Sequence, residues 1–314
     1  MTQNWKKQMR RAINKTGLAF ACATFLSLCA QGNDGAQKNI VFIENEQIKL
    51  GMDMSSGGGI CHFEDKADGK GNRINRFDRG RLIQQSYYGE HDGSTWAEKP
   101  WLWNPIQGGD YKGKPAPVLE RKIEKDKAYV KSVGVHWASG EVLSDCVFEE
   151  WIMLEGGTAR IKFKFTYSGN AEHPARHQEL PAFFANGGMT DLYFYDGKKP
   201  WTNDTPKVRK DLKEVRNEYA KPTENWAAYI GADGRGIGLY FPASDEITYY
   251  RCEHPDKGET GVACSYFAPI STLSIKPGFT FEYEIFVKIG TLKEIRQKFY
   301  ELHGAGNAAA KPVN

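Results

Sequence analysis

The chain is poor in cysteine: six in 314 residues, two of which, Cys22 and Cys29, fall within the first thirty. Four cysteines in the remainder exclude a disulfide-stapled scaffold, and no Cys-x-x-Cys pair points to zinc. A dominant sign of charge is also missing. The 42 Lys and Arg stand against 39 Asp and Glu, a formal +3, which argues against a nucleic-acid partner. No apolar run approaches the ~20 residues that a bilayer-spanning helix needs. There is no Gly-x-Ser-x-Gly elbow, P-loop, dinucleotide fingerprint, calcium loop or His-Glu-x-x-His helix. The expectation is therefore no cofactor and no metal. Internal repeats are absent as well.

What is present begins with a basic leader. Residues 1–30 hold Lys6, Lys7, Arg10, Arg11 and Lys15, no acid, and an apolar run from Leu18 to Ala30. A basic segment followed by a short apolar one reads as a secretory signal. Cleavage after Ala30 is one reading. Leu26-Ser27-Leu28-Cys29 resembles a lipobox, with a bulky Leu28 where that motif takes a small residue, and a lipid anchor on Cys29 is the other. An uncleaved anchor is disfavoured by the shortness of the run. Residues 31–38 read as a tether. The protein is expected to be exported, to the periplasm, the outer membrane or the exterior, with no transmembrane span after signal removal. Without the leader, 37 basic residues face 39 acidic ones, so the apparent basicity belongs to the targeting segment.

Residues 39–303 read as one β-rich domain. Ile161, Phe163, Phe165 and Tyr167 alternate with Lys162, Lys164 and Thr166, and Phe281, Tyr283, Ile285 and Val287 alternate with Glu282 and Glu284. A period of two marks half-buried antiparallel strands. Further strand patterns run over 39–44, 47–53, 59–64, 129–137, 147–154, 226–230, 237–241, 248–251 and 272–275, with turn signals such as Glu155-Gly156-Gly157 and Lys276-Pro277-Gly278 between many of them. Two helices are predicted. One is capped by Thr291 with Glu294 in a capping box, buries Leu292, Ile295, Phe299 and Leu302, and ends at Gly304. The other runs from Thr205 to Tyr219. Residues 304–314 read as a frayed tail. Cys252 and Cys264 flank a polar segment and form either a local bridge or two thiols.

Functional signals concentrate between Gly69 and Asp110, a stretch dense in Arg, Asn, Gln, Tyr, Trp and Gly. Sugar sites need flat aromatic faces for pyranose C–H surfaces, with amides, carboxylates and guanidinium groups for hydroxyls. Trp101, Trp103 and Tyr88 supply faces. Asn75, Arg79, Arg81, Gln84, Gln85, Gln107 and Asp110 supply polar groups. The alternative is that these residues tie down a long loop. A second cluster spans Glu172 to Pro181. If it is extended, His177 and Glu179 share a face and form an acid/base pair, with Tyr88 or His91 as the second proton-transfer group. A metal site at His173 and His177 is the lesser reading, and a merely structural His177–Glu179 pair the bland one.

The order of features resembles the galactose-mutarotase-like β-supersandwich proteins. The resembling parts are Ile48-Lys49-Leu50-Gly51-Met52-Asp53 with Gly57-Gly58-Gly59-Ile60, then Asn72-Arg73-Ile74-Asn75-Arg76, and Ile275-Lys276-Pro277-Gly278 leading into the last strand. The resemblance implies an all-β supersandwich with a few peripheral helices, and a sugar held at Asn75 and Arg76. His173-Pro174 is followed by Ala175-Arg176, so the mutarotase His-Pro-aromatic motif is absent. The expectation is a carbohydrate partner and an exported enzyme acting on a poly- or oligosaccharide as a lyase or hydrolase. A non-catalytic glycan-binding lipoprotein and a sugar epimerase remain the alternatives.

Overall fold

The computed structural model describes residues 39–210 and 216–309. The leader and tether lie outside them, and with them Cys29. Alternation of apolar and polar side chains does what the sequence implies. Along β10 (Val142–Glu155), Cys146, Phe148, Ile152 and Leu154 are buried, while Trp151 and Met153 face outward. All the paired strands run antiparallel. One layer runs β8 (Val118–Ile123), β9 (Lys127–His136), β10, β11 (Thr158–Tyr167), β20 (Thr280–Thr291), β17 (Arg235–Tyr240), β16 (Trp226–Gly231), β13 (Met189–Phe194) and β14 (Lys207–Arg209). The other runs β1 (Ile40–Glu44), β2 (Ile48–Asp53), β3 (Ile60–Asp65), β4 (Ile83–Ser86), β12 (His173–Asn186), β19 (Cys264–Ile275), β18 (Ile247–Cys252) and β15 (Glu218–Ala220). The short β7 (Pro105–Ile106) bridges β4 to β9. A two-stranded hairpin, β5 (His91–Trp96) with β6 (Lys99–Leu102), stands apart.

The core lies between the layers. Tyr87, beyond β4, stacks on Phe165 of β11 with ring centroids 4.0 Å apart, and Phe63, Phe148, Phe163 and Phe183 are fully buried around them. Gly58, at φ +83°, allows this closure, since a Cβ there would sit 2.5 Å from Val130. The C-terminal helix α1 (Leu292–Ala309) packs Ile295 and Phe299 on Trp226, Ala228 and Tyr240, on the outer side of β16 and β17. Thr291 and Glu294 form the expected capping box. Beneath it, the fully buried Glu224 accepts hydrogen bonds from Arg296, Tyr300, Trp226 Nε1 and the Trp201 amide.

Two expectations are revised. The segment from Thr205 to Tyr219 contributes strands where a helix was predicted: β14 pairs Leu192 with Arg209, and β15 pairs Glu218 with Tyr249. Unpaired edges on β13 and β18 offer this segment ladder hydrogen bonds that outweigh a helical period, although residues 211–215 lie outside those described. Helix α1 continues past Gly304 to Ala309, because glycine permits a C-cap without enforcing one. Among the described residues α1 is thus the one α-helix. Cys252 and Cys264 stand directly opposite each other in the β18–β19 register, both buried.

Candidate active site

Strand β12 lies between β4 and β19, and its pleat decides which side chains leave the core. Leu180 joins the interlayer core, while His177 and Glu179 point to the other face of the strand. Register shifts between Glu179 and Phe183 against β19, and between Glu179 and Ala182 against β4, mark a bulge at Pro181, which has no amide hydrogen for the ladder. Beyond it, Ala182 and Phe184 form a patch with Tyr250, Tyr266 and Ala268, and Tyr266 stands 4.4 Å from Phe184 and 4.6 Å from Tyr250 between ring centroids.

Glu179 is the chemical centre of this face. It is 7% exposed, and its Oε2 accepts a 3.0 Å hydrogen bond from the Tyr88 hydroxyl. The Tyr266 hydroxyl approaches the same carboxyl without closing a well-formed hydrogen bond. Burial pushes the Glu179 carboxyl up to about 7, against the smaller opposing pull of the Tyr266 and Tyr88 hydroxyls. Tyr88 is held well above the usual phenol range, first by burial and then by the charge of Glu179. Tyr219, on β15, is raised by burial and by the same charge. The His177 ring meets the Tyr219 ring edge-on at 5.7 Å. Tyr88 and Glu179 are thus buried, while Tyr219 and His177 are exposed.

Tyr88 is fixed by a reciprocal clamp. Its amide donates to Gln178 Oε1 at 2.7 Å, and Gln178 Nε2 donates back to the Tyr88 carbonyl at 3.0 Å. On its other side Tyr88 packs with Trp101, Leu102, Ile106 and Trp137. A tyrosine and a carboxylic acid held in hydrogen-bond contact, one titrating near neutrality, can deliver and accept protons at physiological pH. The groups that shift Glu179 are hydroxyls, with no second carboxylate among them.

The structure distributes the other sequence candidates differently. Glu179 and Tyr88 converge, and His177 reaches the same face through Tyr219. A direct His177–Glu179 pair does not form, because Tyr88 takes the carboxyl. His91 lies exposed on β5, its Nδ1 3.0 Å from the Trp101 carbonyl. Trp101 donates its Nε1 to Asn104. Trp103 turns inward and stacks on His173 at 3.9 Å, so neither His173 nor Trp103 faces this site.

The polar residues expected to hold sugar hydroxyls bind the protein itself. Asn75, fully buried, donates to the Gly261 and Ala263 carbonyls. Arg76 pairs with Glu259 at 2.7 Å. Arg79 binds the Ser55 and Gly113 carbonyls. Arg81 donates to the Val262 carbonyl at 2.7 Å beneath the Phe77 ring, at the edge of the Phe184–Tyr266 patch. Asp110 Oδ1 accepts from the Lys112 and Lys114 amides. Gln85 and Gln107 are core residues: Gln85 reaches the Glu149 and Lys164 carbonyls, and Gln107 Nε2 donates to Glu150 at 3.0 Å. A long segment threaded between layers leaves buried backbone groups that need partners, and these side chains supply them.

Sequence reasoning missed Tyr266 and Tyr219 at the site because they arrive on other strands, β19 and β15, and it missed Gln178, beside Glu179 on β12, because that side chain acts only through the Tyr88 backbone. It also missed Glu150, whose alternation with Phe148 and Ile152 does signal an inward carboxyl. Glu150 is fully buried, and burial pushes it up to about 8. Among the described residues no cluster of three or more His, Cys, Asp or Glu is arranged to hold a metal ion.

Antiparallel layers packed around an interlayer aromatic core make this a galactose-mutarotase-like β-sandwich fold. A galactose mutarotase-like protein from Lactobacillus casei superposes over 80% of this chain and 100% of its own, with a TM-score of 0.54 at 11% identity. A galactose mutarotase related enzyme from Lactobacillus acidophilus matches over 80% and 97%, with a TM-score of 0.51 at 11% identity. A GH36 alpha-galactosidase from Geobacillus stearothermophilus matches 83% of this chain with 41% of its own, at a TM-score of 0.51 and 11% identity. No sequence family matches the chain, and no curated protein does.

Proposed function

We propose that this protein is an exported carbohydrate-active enzyme that moves protons on a poly- or oligosaccharide, with Glu179 as the acid/base group and Tyr88 as its hydrogen-bonded partner. The observation that carries the reading is the buried Tyr88–Glu179 pair, with its carboxyl near 7, beside the Phe184–Tyr266–Tyr250 patch. The fold's occurrence in a galactose mutarotase related enzyme and in a GH36 alpha-galactosidase supports the carbohydrate class. The contact of Glu179 with a tyrosine hydroxyl suits elimination; hydrolysis would use two carboxyl groups about 5 to 9.5 Å apart. In elimination a base takes the proton α to a uronate carboxylate while an acid protonates the leaving oxygen. Glu179 in its ionised form suits the first task. Tyr88, which keeps its proton, suits the second.

A binding protein without catalysis is the second reading, favoured by the burial of Tyr88 and Glu179, 6% and 7% exposed. The test is a polysaccharide panel assayed for new reducing ends and for the ultraviolet absorbance of unsaturated products, with Glu179→Gln beside the wild type. The proposal expects product from at least one glycan and a loss of at least a hundredfold in the variant. Equal activity of the two proteins would remove Glu179 from the mechanism, and binding without product would favour the second reading.

A further inference from the structure

The outer face of the other layer carries a groove that the Glu179 site does not use. Helix α1 covers this face over β16 and β17, while over β9, β10 and β11 it is open. The groove has a volume of about 660 Å³, within the span of small-ligand sites. Its floor carries two aromatic rings from adjacent strands. Tyr129 and Trp151 are register partners, with centroids 5.2 Å apart and planes 37° from each other. Trp151 is 36% exposed, uncommon for a tryptophan in a single chain, and the Tyr129 hydroxyl is anchored on Glu149 at 2.7 Å.

Most of the rim charges are paired, and the other two, Glu124 and Lys127, are of opposite sign. Arg160 binds Glu284 at 2.6 Å, Lys162 binds Glu282 at 2.6 Å, and Lys122 binds Glu120 at 3.1 Å. A rim of ion pairs offers donors and acceptors side by side with almost no net field. That excludes recognition by bulk charge, as an acidic polymer or a nucleic acid would require. It matches a ligand with flat C–H faces and a periphery of hydroxyls, each both donor and acceptor. Lys162 Nζ rests 5.5 Å from the indole centroid, and a side chain that is 46% exposed can swing off the ring.

We propose that this groove is a second, non-catalytic binding site for an uncharged glycan chain, with sugar rings laid over Trp151 and Tyr129. It extends the carbohydrate reading to a second face, and it places ligand binding and proton transfer on different layers of the sandwich. Such a site would anchor the protein to an uncharged glycan, a ligand distinct from the uronate chain that elimination at Glu179 requires.

The experiment is native affinity electrophoresis in gels containing galactomannan, mixed-linkage β-glucan, arabinoxylan or polygalacturonate, with activity measured in parallel. Wild type and Glu179→Gln should be retarded equally in at least one uncharged polysaccharide. Trp151→Ala and Tyr129→Ala should bind at least fivefold more weakly, and Trp151→Phe should keep most of the retardation. Thermal melts report whether each variant is folded, and a folded member of the alanine pair suffices. Equal retardation of wild type and these variants overturns the proposal, as does retardation in polygalacturonate alone or in no gel. Activity without Trp151-dependent retardation overturns the groove and leaves the catalytic reading standing. Trp151-dependent retardation without activity supports the groove and removes the catalytic reading.

Discussion

Replacing Glu150 by Gln should make the protein's stability less dependent on pH. Glu150 sits at the centre of the interlayer core with no exposed surface, and its Oε2 accepts from Gln107 Nε2 at 3.0 Å. Its Oε1 has no partner, although the Tyr87 and Tyr283 hydroxyls are buried without partners in the same core. Burial raises the carboxyl from about 4.5 in the unfolded chain to about 8 in the folded one. The folded protein therefore keeps a proton that the unfolded chain releases, and stability falls as pH rises from about 4.5 to about 8. The slope in mid-window is about 1.4 kcal/mol per pH unit, so Glu150 alone removes roughly 2–3 kcal/mol between pH 5.5 and 7.5. Glutamine keeps the size and the acceptor for Gln107 and cannot ionise.

Urea unfolding of both proteins at half-unit steps from pH 5.5 to 8.5 measures the difference. With an m-value of about 3 kcal/mol/M, the gap between midpoints should widen by about 0.8 M in favour of Glu150→Gln between pH 5.5 and 7.5. Glu179 titrates in the same direction below about pH 7, but it does so in both proteins and cancels. Only the change of the gap with pH matters, since a constant offset reports how well the amide fits. Midpoints that run parallel across the range would refute a neutral carboxyl at this position.

Two further outcomes follow from the same contacts. Tyr88→Phe removes a hydroxyl that pulls the Glu179 carboxyl down, so the Glu179 ionisation, followed by NMR titration of its side-chain carboxyl, should move above its wild-type position near 7; an unchanged or lower midpoint would separate Tyr88 from Glu179. Glu224→Ala strands the Arg296 guanidinium beneath helix α1. It should cost about 3–5 kcal/mol in denaturant unfolding, against a smaller loss for Glu224→Gln; a loss below 1 kcal/mol would mean that apolar packing alone holds the helix.

Much of the sandwich was legible along the chain. The strands at Ile48–Asp53, Thr158–Tyr167 and Thr280–Thr291 follow from period-two alternation, because one face of each is buried and the other is wet. Where a strand is buried on both faces the signal vanishes. The short β4 is buried throughout yet reads Ile83-Gln84-Gln85-Ser86, because its polar side chains are spent on neighbouring backbone groups. The same effect misdirected the reading of Asn75, Gln85, Gln107 and Asp110: amides and carboxylates that stitch loops together have the composition of a sugar site. Glu179 drew attention because it leads out of an extended cluster into an apolar run, and Tyr88 because it stands in an aromatic loop; their contact is what the structure adds.

By itself the sequence determined the β-rich class, the single domain as a reading, the capped terminal helix and the face shared by His177 and Glu179. These depend on local rules, on side-chain alternation and on capping chemistry between residues three apart. Only the tertiary structure decided that Glu179 meets Tyr88 and leaves His177 at the rim, and that Gln107 meets Glu150. It also decided that Thr205 to Tyr219 contributes strands. Those outcomes depend on which strand edges lie side by side and on how much water each carboxyl loses. Neither quantity is written in any short stretch of chain, because burial is set by residues a hundred positions away.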